Sequence, residues 1–134
     1  MPKSEALGLL ILRVTTGVLM LFHGGAKLMH GVSGISGLLQ SKGLPGFLAY
    51  GVYLGEVVAP LLLIVGLYTR PAAWVLAINM VVAVLLVHTG DLVRLGENGE
   101  WALELHAFYF FGAIAVALLG PGRWSWSKGR GKWD

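Results

Sequence analysis

The chain has 134 residues, room for one domain, and is 56% hydrophobic but only 13% charged, against roughly 45 to 50% apolar and about 25% charged in soluble domains. That balance, with a mean hydropathy of +0.73, excludes an ordinary soluble fold and points to a membrane protein. The absence of cysteine removes disulfides, thioether-linked haem, iron-sulfur ligation and thiol relays, and the net charge of +3 is concentrated beside tryptophans near the C-terminus, which suits a membrane surface better than nucleic acid.

Four stretches are long and apolar enough to cross a bilayer as helices, at about 7–28, 47–68, 71–90 and 101–119. The expected fold class is therefore all-α, an integral membrane four-helix bundle. The first span contains Arg13, and its N-terminal position without a following cleavage site reads as a retained helix rather than a signal peptide. Its glycines at 8, 17, 24 and 25 allow close approach of a helix or a ligand. Between spans one and two, Val32, Ile35, Leu38 and Leu39 fall at helical spacing in a Gly- and Ser-rich segment, which predicts a short interfacial helix.

The second span contains Glu56, and Pro60 predicts a kink there because it deletes an intrahelical hydrogen bond. Pro71 suits the first turn of the third span, while Gly120, Pro121 and Gly122 stop the fourth. The spans thus form a transmembrane domain over 1–122, and 123–134 is a basic, Trp-rich tail. Lys3, Arg70, Arg123, Lys128, Arg130 and Lys132 flank one side and Lys27, Lys42 and Arg94 the other. This asymmetry predicts that both termini are cytoplasmic.

Ionisable groups inside a span are costly and need partners. Counted at about 1.5 Å per residue, Arg13, Glu56 and Asn79 lie near enough in depth to meet. Arg13 and Glu56 are accordingly expected to form an ion pair that clamps helices one and two. Nearer the opposite side, His23 and Lys27 lie one turn apart on span one, His88 closes span three, and Glu100 and Glu104 begin span four. His23, His88 and Glu104 are expected to share a cavity with Lys27 at its rim. Such a set could hydrogen-bond the carbonyls of a quinone, with His23, His88 and Glu104 moving protons; bind a divalent metal; or form a water-exposed network at the helix ends. His106, about 200° from Glu104 on a helical wheel, reads as a structural histidine. The aromatics from Phe108 to Phe111 encircle their helix and read as packing.

Arg13, Phe22-His23-Gly24-Gly25-Ala26-Lys27-Leu28, Gly55-Glu56, Gly66-Leu67-Tyr68-Thr69-Arg70-Pro71-Ala72-Ala73, His88, Asn98-Gly99, Glu104 and Gly120-Pro121-Gly122-Arg123-Trp124-Ser125 together resemble the DoxX family. The resemblance spans nearly the whole chain. It implies a four-helix protein of the bacterial inner membrane, related to the membrane subunit of thiosulfate:quinone oxidoreductase, in a family associated with membrane redox systems. Relatives often end in Ser-Leu-Asp where this chain has Ser125-Trp126-Ser127, and no cysteine is present to accept sulfur. Two function classes follow: a quinone-linked oxidoreductase subunit with a quinone or similar hydrophobic ligand between its helices, or a non-catalytic scaffold subunit of a membrane complex. The expected surroundings are the lipid bilayer, a soluble or membrane redox partner and, as an open alternative, further copies of the chain in a homo-oligomer; nucleic acid is not expected. A transporter is a weaker reading, since neither an inverted repeat nor paired broken helices are evident.

Overall fold

The computed structural model describes residues 2–134. The chain is 71% helical, and among the described residues, besides a single 3-10 turn at Thr89–Asp91, there are five helices: α1 (Lys3–His30), α2 (Ser33–Ser41), α3 (Gly46–Val65), α4 (Thr69–Val87) and α5 (Glu104–Leu119). Helix α1 packs on α3, α3 on α4, α4 on α5 and α5 back on α1, so the four long helices close into a bundle with α2 outside it. Three of the four, α1, α3 and α4, are long and apolar enough to cross a membrane. Helix α5 is also apolar but has 16 residues, about 24 Å of helix against a hydrocarbon core of about 30 Å.

Helices α1, α3, α4 and α5 overlap the four apolar stretches of the sequence but end at different residues. Helix α4 stops at Val87, and Trp101 to Leu103 form a turn ahead of α5 rather than its first turn. Gly31 ends α1 at φ 78°, its N–H donating to the Lys27 carbonyl at 2.7 Å, a conformation that costs glycine little. The predicted interfacial helix is α2, which buries Leu39 against Val32 and Ala49 in a small cluster of its own.

Pro60 acts on α3 through a π-type turn over Leu54–Val58, a common response where the regular hydrogen-bond ladder is interrupted. Proline has no N–H for the carbonyl four residues earlier, that of Glu56. Helix α1 comes close at this point. A Cβ on Gly24 would overlap the Glu56 carbonyl, and one on Gly17 would lie 2.9 Å from the Pro60 carbonyl. Gly17 and Gly24 are thus the glycines that permit the α1–α3 contact, whereas Gly8 and Gly25 face open space.

The core is built from small and medium side chains: Met20 from α1, Leu63 from α3, Ala73, Leu76 and Ala77 from α4, and Ala113, Val116 and Ala117 from α5. Alanines at the α4–α5 seam let the two backbones approach, the usual means of gaining dispersion contact where lipid removes the hydrophobic driving force between helices. Ile11, Ile78, Leu85, Phe108 and Leu118 point outward, as expected of side chains that face lipid.

Residues 123–134 fold back across the end of the bundle where α1 begins. Trp126 N–H donates to the Val65 carbonyl at 3.0 Å and Ser127 N–H to the Gly66 carbonyl at 3.2 Å. Two arginines hold this end together. Arg70 Nη1 donates to the Ala117 and Leu118 carbonyls at 2.9 and 2.8 Å, capping α5, while its Nε meets the Asp134 carbonyl.

Candidate functional site

Arg13 is only 1% exposed, and its partners correct the expected ion pair. Its Nη1 donates to the Leu63 carbonyl at 2.6 Å and the Ile64 carbonyl at 2.9 Å. Nη2 donates to the Trp124 carbonyl at 2.6 Å and Nε to that of Pro121 at 3.2 Å. The guanidinium therefore caps the C-terminal end of α3 and clasps the chain leaving α5, as cations do at helix C-termini. Glu56 lies about two turns further from this end of α3, beyond the reach of a side chain that leans toward its own helix N-terminus.

Glu56, 3% exposed, is held by Lys27 and Asn79 instead. The Lys27 ammonium pairs with its Oε1, and Asn79 Nδ2 donates to Oε2 at 3.0 Å. The carboxylate thus has a charged partner on α1 and a neutral donor on α4, which answers the need to compensate charge within a low-dielectric layer. Tyr53 fixes the same junction, its hydroxyl donating to the Lys27 carbonyl at 3.1 Å.

Beside Glu56 lies a cavity of about 70 Å³ lined by Met20, His23, Met80, His106 and Tyr109 among others. His23 sits edge-on to the Tyr109 ring at 5.7 Å. His88 does not line the cavity but stands behind it, 4.5 Å from the His106 ring centre to centre, with its Nδ1 3.1 Å from Asp91 Oδ2. Arg94 pairs with the other oxygen of Asp91 at 3.0 Å. Of the predicted set, His23 therefore lines the cavity, Lys27 reaches it through Glu56, and His88 is one ring removed.

Glu104 is the correction within that set. It is exposed in the first turn of α5, where a carboxylate favours the helix dipole. The opposite face of the same turn carries His106 inward. His106, partly buried, precedes the buried Tyr109, Ala113, Val116 and Ala117 on one inward stripe, a spacing of three and four that was readable in the sequence. Among the described residues no group of three or more His, Asp or Glu side chains is placed to hold a metal ion.

A second, larger cavity of about 220 Å³ adjoins the first. It is an apolar groove between α4 and α5, with Val84, Leu85, Trp101, Phe110 and Phe111 in its walls. Leu85 and Phe111 are also exposed to the outside of the bundle, so the groove opens where lipid would lie. Met80 and His106 line both cavities, and His106 is thus where the apolar groove meets the smaller chamber beside Glu56.

The DoxX family model matches residues 8–89, well over half of the chain. The chain belongs to the DoxX family. The match includes Arg13, His23, Lys27, Glu56, Asn79 and His88, while His106 and Tyr109 lie beyond it. A Bacillus subtilis protein named "Putative oxidoreductase CatD" is 36% identical over 87 residues, 65% of this chain and 64% of that protein, so the match spans less than two thirds of the Bacillus protein. An uncharacterized Haemophilus influenzae protein is 35% identical over 126 residues, 88% of this chain and 92% of the other. An uncharacterized membrane protein of Mycobacterium tuberculosis is 32% identical over 124 residues, 85% of this chain and 76% of the other. No solved structure gives a match. With its apolar helices, this DoxX protein is a membrane protein.

Proposed function

We propose that this DoxX protein is a membrane subunit of a redox system and that it binds a quinone, or a ligand of similar chemistry, between α4 and α5. The observation that carries the reading is the junction at His106, where an apolar groove open to the lipid side runs into a chamber lined by His23, Glu56 and Tyr109. A quinone has the matching division: an apolar tail, a flat ring suited to Trp and Phe walls, and carbonyls that take hydrogen bonds from imidazole. The groove volume of about 220 Å³ is small against the roughly 300 to 1,000 Å³ of ligand clefts, which favours a single ring and part of a tail over haem or flavin. The name of the Bacillus relative, "Putative oxidoreductase CatD", points the same way.

In this reading His106 and His23 hydrogen-bond the ring oxygens, and Glu56 exchanges protons as the ring is reduced or oxidised, its charge balanced by Lys27. The electron donor or acceptor belongs to a partner protein. The six-to-three bias of flanking basic residues supports an orientation with the Arg13 end and both termini on the cytoplasmic side, in a bacterial inner membrane.

The experiment is purification in mild detergent followed by lipid extraction, optical spectra and quantification of bound quinone. Quinone at a substantial fraction of one per chain, lowered by His106→Ala and unchanged by Glu104→Gln, is the expected result. Extracts of folded protein without quinone, together with no saturable binding of a short-chain quinone analogue, would leave the scaffold role as the better description.

A further inference from the structure

We infer that His88 and His106 form a proton relay that joins the aqueous surface at the Lys27 end of the bundle to the buried carboxylate of Glu56. The inference rests on the ligand reading above only for the use made of the proton. The relay begins at Asp91, whose carboxylate is held between Arg94 and His88, and whose side chain is partly open to the surroundings. The His88 ring, also partly exposed, lies 4.5 Å from the His106 ring. His106 then faces the chamber that Glu56 lines.

Two features of His106 set it apart from a packing histidine. Its Nδ1 is buried and, among the described residues, has no hydrogen-bond partner, which is unfavourable unless water or a ligand supplies one. The adjoining space of about 70 Å³ exceeds the roughly 10 to 15 Å³ that one water requires, so waters can link the ring to Glu56. An imidazole takes a proton on one nitrogen and releases one from the other. The step is a proton shift alone: hydronium at the surface beside Asp91 gives a proton to His88 and leaves as water, and His88 passes a proton across to His106. His106 then releases one through chamber water to Glu56, which ends as the neutral acid while both histidines return to the neutral form. The reverse sequence returns it.

The titratable groups around His106 are His23 from α1, Glu56 from α3, His88 and Asp91 from the end of α4 and the turn after it, and Tyr109 on its own helix. None offers a route to the opposite end. There the bundle is filled by Leu63, Leu76 and Val116, all fully buried, and the Arg13 guanidinium is committed to four carbonyls. Lys27 also touches Glu56 and is partly exposed, which makes it the competing route that a test must separate.

The test follows the protonated carboxyl band of Glu56 by infrared spectroscopy after a rapid pH step, on ligand-free protein in nanodiscs, with the band assigned by its loss in Glu56→Gln. His88→Ala and His106→Gln should slow its appearance about tenfold or more while leaving its final amplitude and the helix content unchanged. Added imidazole should restore the rate in His88→Ala, a rescue that a purely structural role for the ring does not give. Asp91→Asn provides a second variant with the histidines intact and should also slow the step. Unchanged rates in the histidine variants would route the proton past Lys27 and overturn the relay. No imidazole rescue in folded His88→Ala would overturn it too, as would a Glu56 that never protonates while the protein stays helical. Because no quinone is present, these outcomes are independent of whether one binds.

Discussion

The Arg13 guanidinium donates to the carbonyl of Trp124, 111 residues further along the chain, at 2.6 Å. The same group holds Leu63, Ile64 and Pro121, so one side chain from α1 ties the end of α3 to the chain leaving α5. A buried charge is retained here without a carboxylate partner because several aligned carbonyls supply the negative potential.

Arg13→Ala should therefore destabilise the bundle by several kcal/mol, since it takes the donor from four carbonyls at about 1 to 3 kcal/mol for each that stays buried, and free the tail. Arg13→Lys should recover only part of this, since a single ammonium cannot serve a planar fork of acceptors. Thermal melts in detergent and the rate of tryptic cleavage at Lys128 and Arg130 measure the two effects. A tail no more accessible in Arg13→Ala than in the parent protein would show that the clasp contributes nothing.

Lys27 and Glu56 should behave as a coupled pair. Lys27→Met leaves a carboxylate buried with only Asn79 as donor and should cost about 3 to 5 kcal/mol, as should Glu56→Met by stranding the ammonium. The double variant should lose less than the sum, with a coupling of about 0.5 to 3 kcal/mol. Additive losses in a double-mutant cycle would deny the pair any mutual stabilisation.

Two neighbouring glycines should respond with opposite sign to the same substitution. A methyl group on Gly24 would overlap the Glu56 carbonyl, whereas one on Gly25 meets nothing. Gly24→Ala should cost about 1 to 3 kcal/mol by forcing α1 and α3 apart. Gly25→Ala should be neutral or gain up to about 1 kcal/mol from helix propensity. Equal effects on unfolding would remove Gly24 from the α1–α3 contact.

The helices were legible because spans, caps and breakers each have a local chemical cause: hydropathy for the four long helices, Gly120 for a stop, Pro71 for a start. The site was legible by residue type and depth but not by angle. His23 and Lys27 reach the chamber region, and Glu104 was the wrong member of its turn because depth along an axis says nothing about facing. Choosing His106 required only continuing the buried stripe from Tyr109 to Ala113 backward by three residues. The Arg13 partnership was not legible, because backbone carbonyls leave no mark in a sequence. The return of the tail was hidden for the same reason: its contacts with Val65 and Gly66 are backbone to backbone.

The position of a bound quinone can be read from fluorescence, because the five tryptophans divide unevenly along the bundle. Trp101 lines the apolar groove and donates its Nε1 to the Leu92 carbonyl at 2.8 Å, so its indole is fixed there. Trp74 lies near the start of α4, and Trp124, Trp126 and Trp133 lie in the tail that crosses the Arg13 end. A quinone in the groove quenches the nearest indole most strongly. Titration of nanodisc-embedded protein with a short-chain quinone should give saturable quenching that Trp101→Phe largely removes and Trp74→Phe preserves. His106→Ala should weaken the apparent affinity about tenfold, which is roughly 1.5 kcal/mol, the upper end for one hydrogen bond. Saturable quenching that survives Trp101→Phe but fails in the tail variants would move the ligand to the other end of the bundle. In that case the junction at His106 would have no part in binding it.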